Sequence, residues 1–246
     1  MNTNYKLLAL DMDGTLLNDE HQISDATVHW IQKAVEHGIY VCLSTGRAFH
    51  EAYDYAKQLN LATPMVTVNG SEVWRAPHTL YRRALLDVNL VRKMHELGES
   101  TGIWYWAYAV DQAYNRDRWP SSIEMQEWLK FGYTTEDDEL RHQIMMELQQ
   151  LEGLEITNSS PINLEINPQG INKATGIKQV CELLGITMDQ VVAVGDSMND
   201  LAVIQQAGLG VAMGNAQQVV KEVADQIVSS NNEDGIVEVI KNYILP

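Results

Sequence analysis

Residues 7–15 read Leu-Leu-Ala-Leu-Asp-Met-Asp-Gly-Thr, four apolar residues running straight into two acids, a glycine and a hydroxyl. A short unbroken apolar run is the pattern of a strand buried on both faces, as in parallel sheets. The design returns at residues 39–43 followed by Ser44, Thr45, Gly46 and Arg47, and at residues 65–68 followed by Asn69 and Gly70. It returns again at residues 191–194, followed by Gly195, Asp196, Ser197, Met198, Asn199 and Asp200, and a further strand is expected over 210–213. Amphipathic stretches separate these runs, predicting helices over residues 24–37, 48–60, 173–184 and 201–206. Strands alternating with helices in this way define a doubly wound, Rossmann-like α/β core with a parallel sheet.

The middle of the chain breaks the alternation. Residues 83–166 hold four of the six tryptophans, Trp104, Trp106, Trp119 and Trp128. Helices are expected there over 88–100, 123–129 and 139–151, and strands over 103–108, 154–157 and 162–166. The organisation expected is therefore a core of residues 1–82 and 167–246 interrupted by an α+β insert, 83–166, large enough for its own small core.

Composition narrows the function. The 246 residues are 45% hydrophobic, with 33 Asp plus Glu against 17 Lys plus Arg and a net charge of −16. A chain this long and apolar buries a full core, which excludes intrinsic disorder and the disulfide-stapled miniproteins. Insert and remainder are both acidic, so no basic platform for a nucleic acid or an anionic membrane is hidden in either. A small anionic ligand held by a few placed groups stays open. Cys42 and Cys181 each lie in an apolar run and read as buried thiols of a reducing cytosol. With no signal-peptide core and no run of about 18 apolar residues, the expected location is cytoplasmic.

In a doubly wound sheet, ligands bind beyond the C-terminal strand ends, where the strand order reverses. Asp11, Asp13, Asp196 and Asp200 would then converge on one crevice. Like charges held close require a cation, and hard oxygen donors with open positions suit Mg²⁺. Thr45, with the backbone amides of Gly46 and Arg47 near a helix N-terminus, is placed for phosphate oxygens, and Lys173 adds positive charge. Any one of these aspartates alone reads more simply as a helix cap or turn former. Their ordered combination points to phosphoryl chemistry.

DMDGTLL, LSTGR, TVNGSEV, INKATGIKQV, VGDSMNDLAVIQQAGLGVAMGNA and NNEDGIVEVI, spread over nearly the whole chain, resemble the haloacid dehalogenase superfamily of phosphatases, and within it the Cof-type hydrolases. The resemblance implies that Asp11 is the nucleophile that becomes an aspartyl-phosphate and that Asp13 is the general acid and base, its carbonyl also a metal ligand. It implies that Thr45 and Lys173 hold the transferring phosphoryl, that Asp196 is a metal ligand, and that Asp200 stands behind the ligands, orienting a bound water or Lys173. Arg47, Asn69 and Asn199 would approach phosphate or substrate. For Asp13 to carry a proton, its side chain should point away from the metal.

Residues 11 to 45 leave room for one turn, helix and strand, whereas the chain from Thr45 to Lys173 is far longer than one strand and helix need. The insert therefore resembles the C2 class of cap, which selects small substrates and excludes duplexes and folded phosphoproteins. Alternation in Trp104-Tyr105-Trp106-Ala107-Tyr108 puts Trp104, Trp106 and Tyr108 on one strand face. The simpler expectation is that this face packs on the cap helices; the alternative is an aromatic floor for a ring-bearing or sugar substrate. Arg116, Arg118 and Trp119 read more simply as a solvated loop than as specificity residues, the alternative, and no histidine lies in a motif.

The expected activity is thus Mg²⁺-dependent hydrolysis of small phosphomonoesters, with sugar phosphates, pyridoxal phosphate, flavin mononucleotide and a ribitylaminouracil phosphate as the classes of substrate the family implies. Self-association stays open. A phosphomutase using the same intermediate is the near rival, and a receiver-like signalling module the distant one. A receiver would carry its phosphoryl acceptor after the third strand, where this chain has Asn69 and Gly70.

Overall fold

The computed structural model describes residues 5–245, which divide into two compact units. Residues up to Arg82 and from Lys173 onward form the first, and Arg83–Asn172 the second. In chain order the first unit opens with β1 (Leu7–Leu10), α1 (Asp25–Glu36), β2 (Tyr40–Leu43), α2 (Phe49–Gln58), β3 (Met65–Thr67), β4 (Glu72–Ala76) and β5 (Thr79–Arg83). The second unit follows with α3 (Val88–Thr101), β6 (Trp104–Ala109), β7 (Ala113–Asn115), β8 (Trp128–Thr134), α4 (Asp138–Leu148), β9 (Leu154–Thr157) and β10 (Asn163–Pro168). The first then resumes with α5 (Lys173–Leu184), β11 (Val191–Gly195), α6 (Leu201–Gln206), β12 (Leu209–Ala212), α7 (Gln218–Val223), β13 (Gln226–Ile227) and α8 (Gly235–Val239).

The sheet of the first unit runs β13-β12-β11-β1-β2, all parallel. Its strands are apolar throughout because both faces are covered. Leu8, Leu10, Val41, Leu43, Val192 and Val194 pack with α1, α2 and α8 on one side. Leu7, Ala9, Cys42, Val191 and Ala193 pack with α5 on the other. Strand order reverses between β1 and β11, so the residues that follow those two strands share the ligand-binding edge.

Three expectations for this unit are corrected. The third strand ends at Thr67, touches β2 through the single parallel bridge Ser44–Val66, and pairs antiparallel with β4. Val68 instead turns to φ 52° and Asn69 to φ 56°, ending the strand early. Residues 72–83, for which the pattern predicts no element, form the β4–β5 hairpin. The unit boundary falls after Asn172, not Ile166: β10 continues to Pro168 beside β9, and the Gln169 amide bonds the Gly153 carbonyl at 2.9 Å. The Asn172 side chain then donates to Glu155 at 2.8 Å.

The second unit is an antiparallel sheet, β7-β6-β8-β10-β9, with α3 and α4 on one face. Residues 123–129 are not a helix. A single 3₁₀ turn at Ile123–Met125 gives way to β8, the central strand, paired with β6 on one side and β10 on the other. The helical spacing of Ile123-Glu-Met-Gln-Glu-Trp is outweighed by two-sided pairing and by the aromatic content of Trp128–Thr134, which favours a strand. Tyr105, Ala107, Phe131, Tyr133, Leu164 and Ile166 fill the core against the helices. Trp104, Trp106 and Tyr108 therefore lie on the opposite face, against the simpler expectation. Trp119 stacks on Trp128 with ring centroids 5.2 Å apart, so it is drawn out of the solvated loop that contains the exposed Arg116 and Arg118.

Candidate active site

Asp11 follows β1 directly, and Lys173 opens α5 with a side chain that is completely buried. Lys173 Nζ donates to Asp11 Oδ1 at 2.6 Å and to Asp200 Oδ1 at 2.7 Å. Asp200 is held on its other side too, where its Oδ2 accepts the backbone amides of Asp196 at 3.1 Å and Ser197 at 3.3 Å. With both oxygens engaged, Asp200 anchors Lys173 and the β11 loop.

Asp196 faces the same point. Its Oδ2 accepts from the Ser197 hydroxyl at 2.9 Å and its Oδ1 from the Thr15 hydroxyl at 3.4 Å. Thr15 and Ser197 belong to the quoted motifs, but sequence reasoning gave them no role. The signal was their place, one hydroxyl beside each acidic strand end. Carboxylate oxygens of Asp11, Asp196 and Asp200 all lie within 4.8 Å of one another. Three acids face a single ammonium in a buried pocket. Burial first, then the Asp200 charge, pushes Asp11 well above the ordinary carboxylate range, although Lys173 pulls it down. Asp196 is raised to about 6, by burial and then by Asp200. Burial opposes the charge on Lys173, but Asp11 and Asp200 outweigh it and raise its pKa. Surplus negative charge among hard oxygen donors fits a divalent cation such as Mg²⁺.

Asp13 stays outside this cluster. The Arg47 guanidinium grips its carboxylate with two bonds, Nε to Oδ2 being 2.7 Å, and the hydrogen bond to Asp13 raises the Arg47 pKa further. The carboxylate is about half exposed, and the His21 ring, a neighbour that sequence reasoning passed over, lies 3.7 Å from it. The side chain thus points away from the three acids. Arg47, expected to approach phosphate or substrate, is bonded to Asp13. Its amide is also taken, donating to Thr45 Oγ1 at 3.1 Å, and α2 begins only at Phe49. The Gly46–Arg47 segment is therefore a loop ahead of the helix rather than its first turn.

Thr45 is buried at the end of β2, its amide on the Val66 carbonyl and its carbonyl accepting the Asn69 amide. Val68 donates to the Arg47 carbonyl at 2.9 Å. These bonds hold Val68 and Asn69 in left-handed backbone, which for a β-branched residue costs on the order of 1–3 kcal/mol. The strained turn delivers Asn69 to Asn199, whose Nδ2 lies 3.3 Å from Asn69 Oδ1. Thus Asp11, Lys173, Asp196 and Asp200 form one cluster, Asp13 and Arg47 a pair, and Asn69 and Asn199 another.

A parallel sheet whose order reverses beside two acid-bearing strand ends, with a buried lysine on the first acid, defines a phosphoryl-handling α/β hydrolase. Residues 8–143 and 116–240 match the family of haloacid dehalogenase-like hydrolases, and the chain belongs to it, in its Cof-type branch, as a phosphatase. It is 47% identical, over 98% of its length and 96% of the relative's, to the 5-amino-6-(5-phospho-D-ribitylamino)uracil phosphatase YcsE of Bacillus subtilis. It is 31% identical, over 99% of each chain, to YitU of the same organism, a phosphatase of the same name. The crystal structure of a haloacid dehalogenase-like hydrolase from Bacteroides thetaiotaomicron superposes with a TM-score of 0.82 at 28% identity, over 96% of this chain and 98% of that one. Among the described residues, no helix is long and apolar enough to cross a membrane.

Proposed function

We propose that this phosphatase hydrolyses 5-amino-6-(5-phospho-D-ribitylamino)uracil in the cytoplasm, through an aspartyl-phosphate on Asp11. The observation that carries the substrate is the 47% identity, end to end, with a phosphatase named for it. The cation would be Mg²⁺, held by Asp11, Asp196 and the Asp13 carbonyl; bound there, it supplies positive charge against the phosphoryl oxygens and lowers the pKa of Asp11.

The chain's own residues perform the rest. Lys173 holds Asp11 Oδ1, which leaves Oδ2 to attack phosphorus as the P–O bond to the ribityl oxygen breaks. Asp13 gives its proton to that oxygen, so the alcohol leaves neutral. The Asp13 carboxylate then takes a proton from water, whose oxygen attacks phosphorus, releasing phosphate and restoring Asp11. Lys173 and Thr45 stabilise the equatorial charge of both transition states. Asn199 with Asn69 lines the phosphate side, and Arg47 keeps Asp13 aimed. The second unit is the cap that selects the ester.

With Mg²⁺ present, kcat/KM for this ester should exceed that for ribose 5-phosphate, pyridoxal phosphate and flavin mononucleotide by about tenfold or more, a difference of about 1.4 kcal/mol in transition-state binding. A sugar phosphate ranking first would overturn the substrate, while leaving the phosphatase chemistry intact.

A further inference from the structure

Asp13 is about half exposed, gripped by Arg47 on its carboxylate and passed by the His21 ring at 3.7 Å. An ion pair open to solvent fixes little geometry by itself, because water competes for both partners and the arginine side chain is flexible. A proton donor must nevertheless be held within hydrogen-bond reach of the oxygen it serves. One side chain of the first unit touches both flanks of this carboxylate.

Tyr55 lies on α2 beside the buried Ala52 and Ala56 and packs against the core of the first unit. The Arg47 guanidinium carbon stands 5.3 Å from the centre of its ring, within the range in which a cation is drawn to an aromatic face. A guanidinium stacked on a ring keeps its edge for hydrogen bonding. Arg47 uses that edge on Asp13, with Nε and Nη2 at 2.7 and 2.5 Å from its two oxygens. The hydroxyl of the same tyrosine donates to the His21 carbonyl at 3.2 Å.

His21 is in left-handed backbone, φ 56°, a conformation that persists where neighbours fix it. Its amide donates to the Asn18 carbonyl at 2.9 Å, and Asn18 Oδ1 accepts the Glu20 and Gln22 amides at 3.1 and 2.9 Å. The 18–22 turn is thus closed on itself, and Tyr55 ties it to α2. Core filling alone would not place both ends of one side chain on the two neighbours of a single carboxylate.

We infer that Tyr55 is a positioning residue for the reaction: its ring holds Arg47 and its hydroxyl holds the His21 turn, so that the Asp13 carboxyl meets the leaving oxygen. This role rests on the proposed proton transfer at Asp13 and names the group that aims it. The Asp13 proton passes to the ester oxygen as the P–O bond breaks and the bond from Asp11 to phosphorus forms. Tyr55 gives up no proton and touches no substrate.

Phenyl phosphate and 2,4-dinitrophenyl phosphate separate aim from mere packing. Phenolate is a poor leaving group that needs the Asp13 proton, whereas dinitrophenolate departs without one. The readout is kcat/KM, which covers steps only as far as the first P–O cleavage, with Mg²⁺ present. Tyr55→Leu should lose about tenfold on phenyl phosphate and less than about twofold on the dinitrophenyl ester, a fraction of what a positioned acid supplies. Tyr55→Phe keeps the ring under Arg47 and should stay within about threefold of wild type on phenyl phosphate. Arg47→Lys should show the same leaving-group dependence, and adding Tyr55→Leu to it should cost little more, since the two residues act through one contact.

Equal losses on both esters, no loss on phenyl phosphate, or full additivity with Arg47→Lys would overturn the assignment. If Tyr55→Leu does not fold, Tyr55→Gln, which removes the ring and keeps a polar tip, is read by the same ratio of esters. Asp13→Ala keeps the two questions apart. It should lose far more on phenyl phosphate than on the dinitrophenyl ester, and an equal loss there would refute the acid role of Asp13 itself, and the role of Tyr55 with it.

Discussion

Two lysines of this chain are almost completely buried, and they are buried in opposite company. Lys173 faces Asp11 and Asp200, with Asp196 beside them, so its pocket carries more negative charge than it can neutralise. Lys130 faces one carboxylate, Glu165, and two aromatic rings. The first pocket holds surplus negative charge among hard oxygen donors, which fits a divalent cation. The second pairs one positive with one negative charge.

The largest test of that contrast is removal of each charge. Lys173→Met leaves two buried carboxylates facing each other. It should cost about 3–5 kcal/mol of stability and lower kcat on the order of 10²- to 10³-fold, as read by thermal melts and initial rates. Replacing Lys130 by Met and Glu165 by Leu together should leave the melting temperature unchanged or higher. If both changes destabilised the protein equally, the contrast would collapse.

Next comes Gly195→Ala. A Cβ there would stand 2.2 Å from Asp200 Cγ, displacing the carboxylate that steadies Lys173. A misplacement of about 1 Å near reacting groups costs around 10²-fold, so kcat should fall by about that factor with KM little changed.

These lysines also differ in how legible they were. Lys173 was found because it lies in the INKATGIKQV motif and opens an amphipathic helix, and local pattern is what sequence displays best. Lys130 was missed because it sits in a strand beside a segment with helical spacing, and only pairing with β6 and β10, distant in sequence, makes that segment a strand. The parallel core was legible for the same reason as Lys173: its strands are continuous apolar runs with polar ends. The β4–β5 hairpin was not, since Glu72–Arg83 lacks clean alternation. Of the four aspartates expected to converge, Asp11, Asp196 and Asp200 do and Asp13 does not, because the grip of Arg47 on Asp13 depends on a loop conformation that spacing does not encode.

A subtler effect concerns pH and the metal. Asp196 is raised from its ordinary 3.8 to about 6, and Asp11 is raised as well. A raised carboxylate binds its proton more tightly in the folded state. The metal-free protein is therefore favoured by these groups below about pH 4 and loses that stability as pH rises through about 6. Mg²⁺ replaces the protons, so the increase in Tm on adding Mg²⁺ should be several degrees at pH 7 and smaller at pH 5. Calorimetry at the two pH values measures it; an increase that shrank with rising pH would contradict the charge surplus.

The smallest effect expected is that of Gly132→Ala, which pushes the Trp106 indole off the sheet. A lowered melting temperature is expected in thermal melts, and an unchanged one would contradict the close packing of Trp106 over Gly132.

The central claim is covalent catalysis at Asp11, and acid quenching during turnover tests it most directly. Protein mixed with Mg²⁺ and a phosphate-labelled ester, quenched within milliseconds and digested, should carry label on the peptide containing Asp11, and Asp11→Asn should carry none and hydrolyse nothing measurable. Label on another residue, or full activity in Asp11→Asn, would contradict the account.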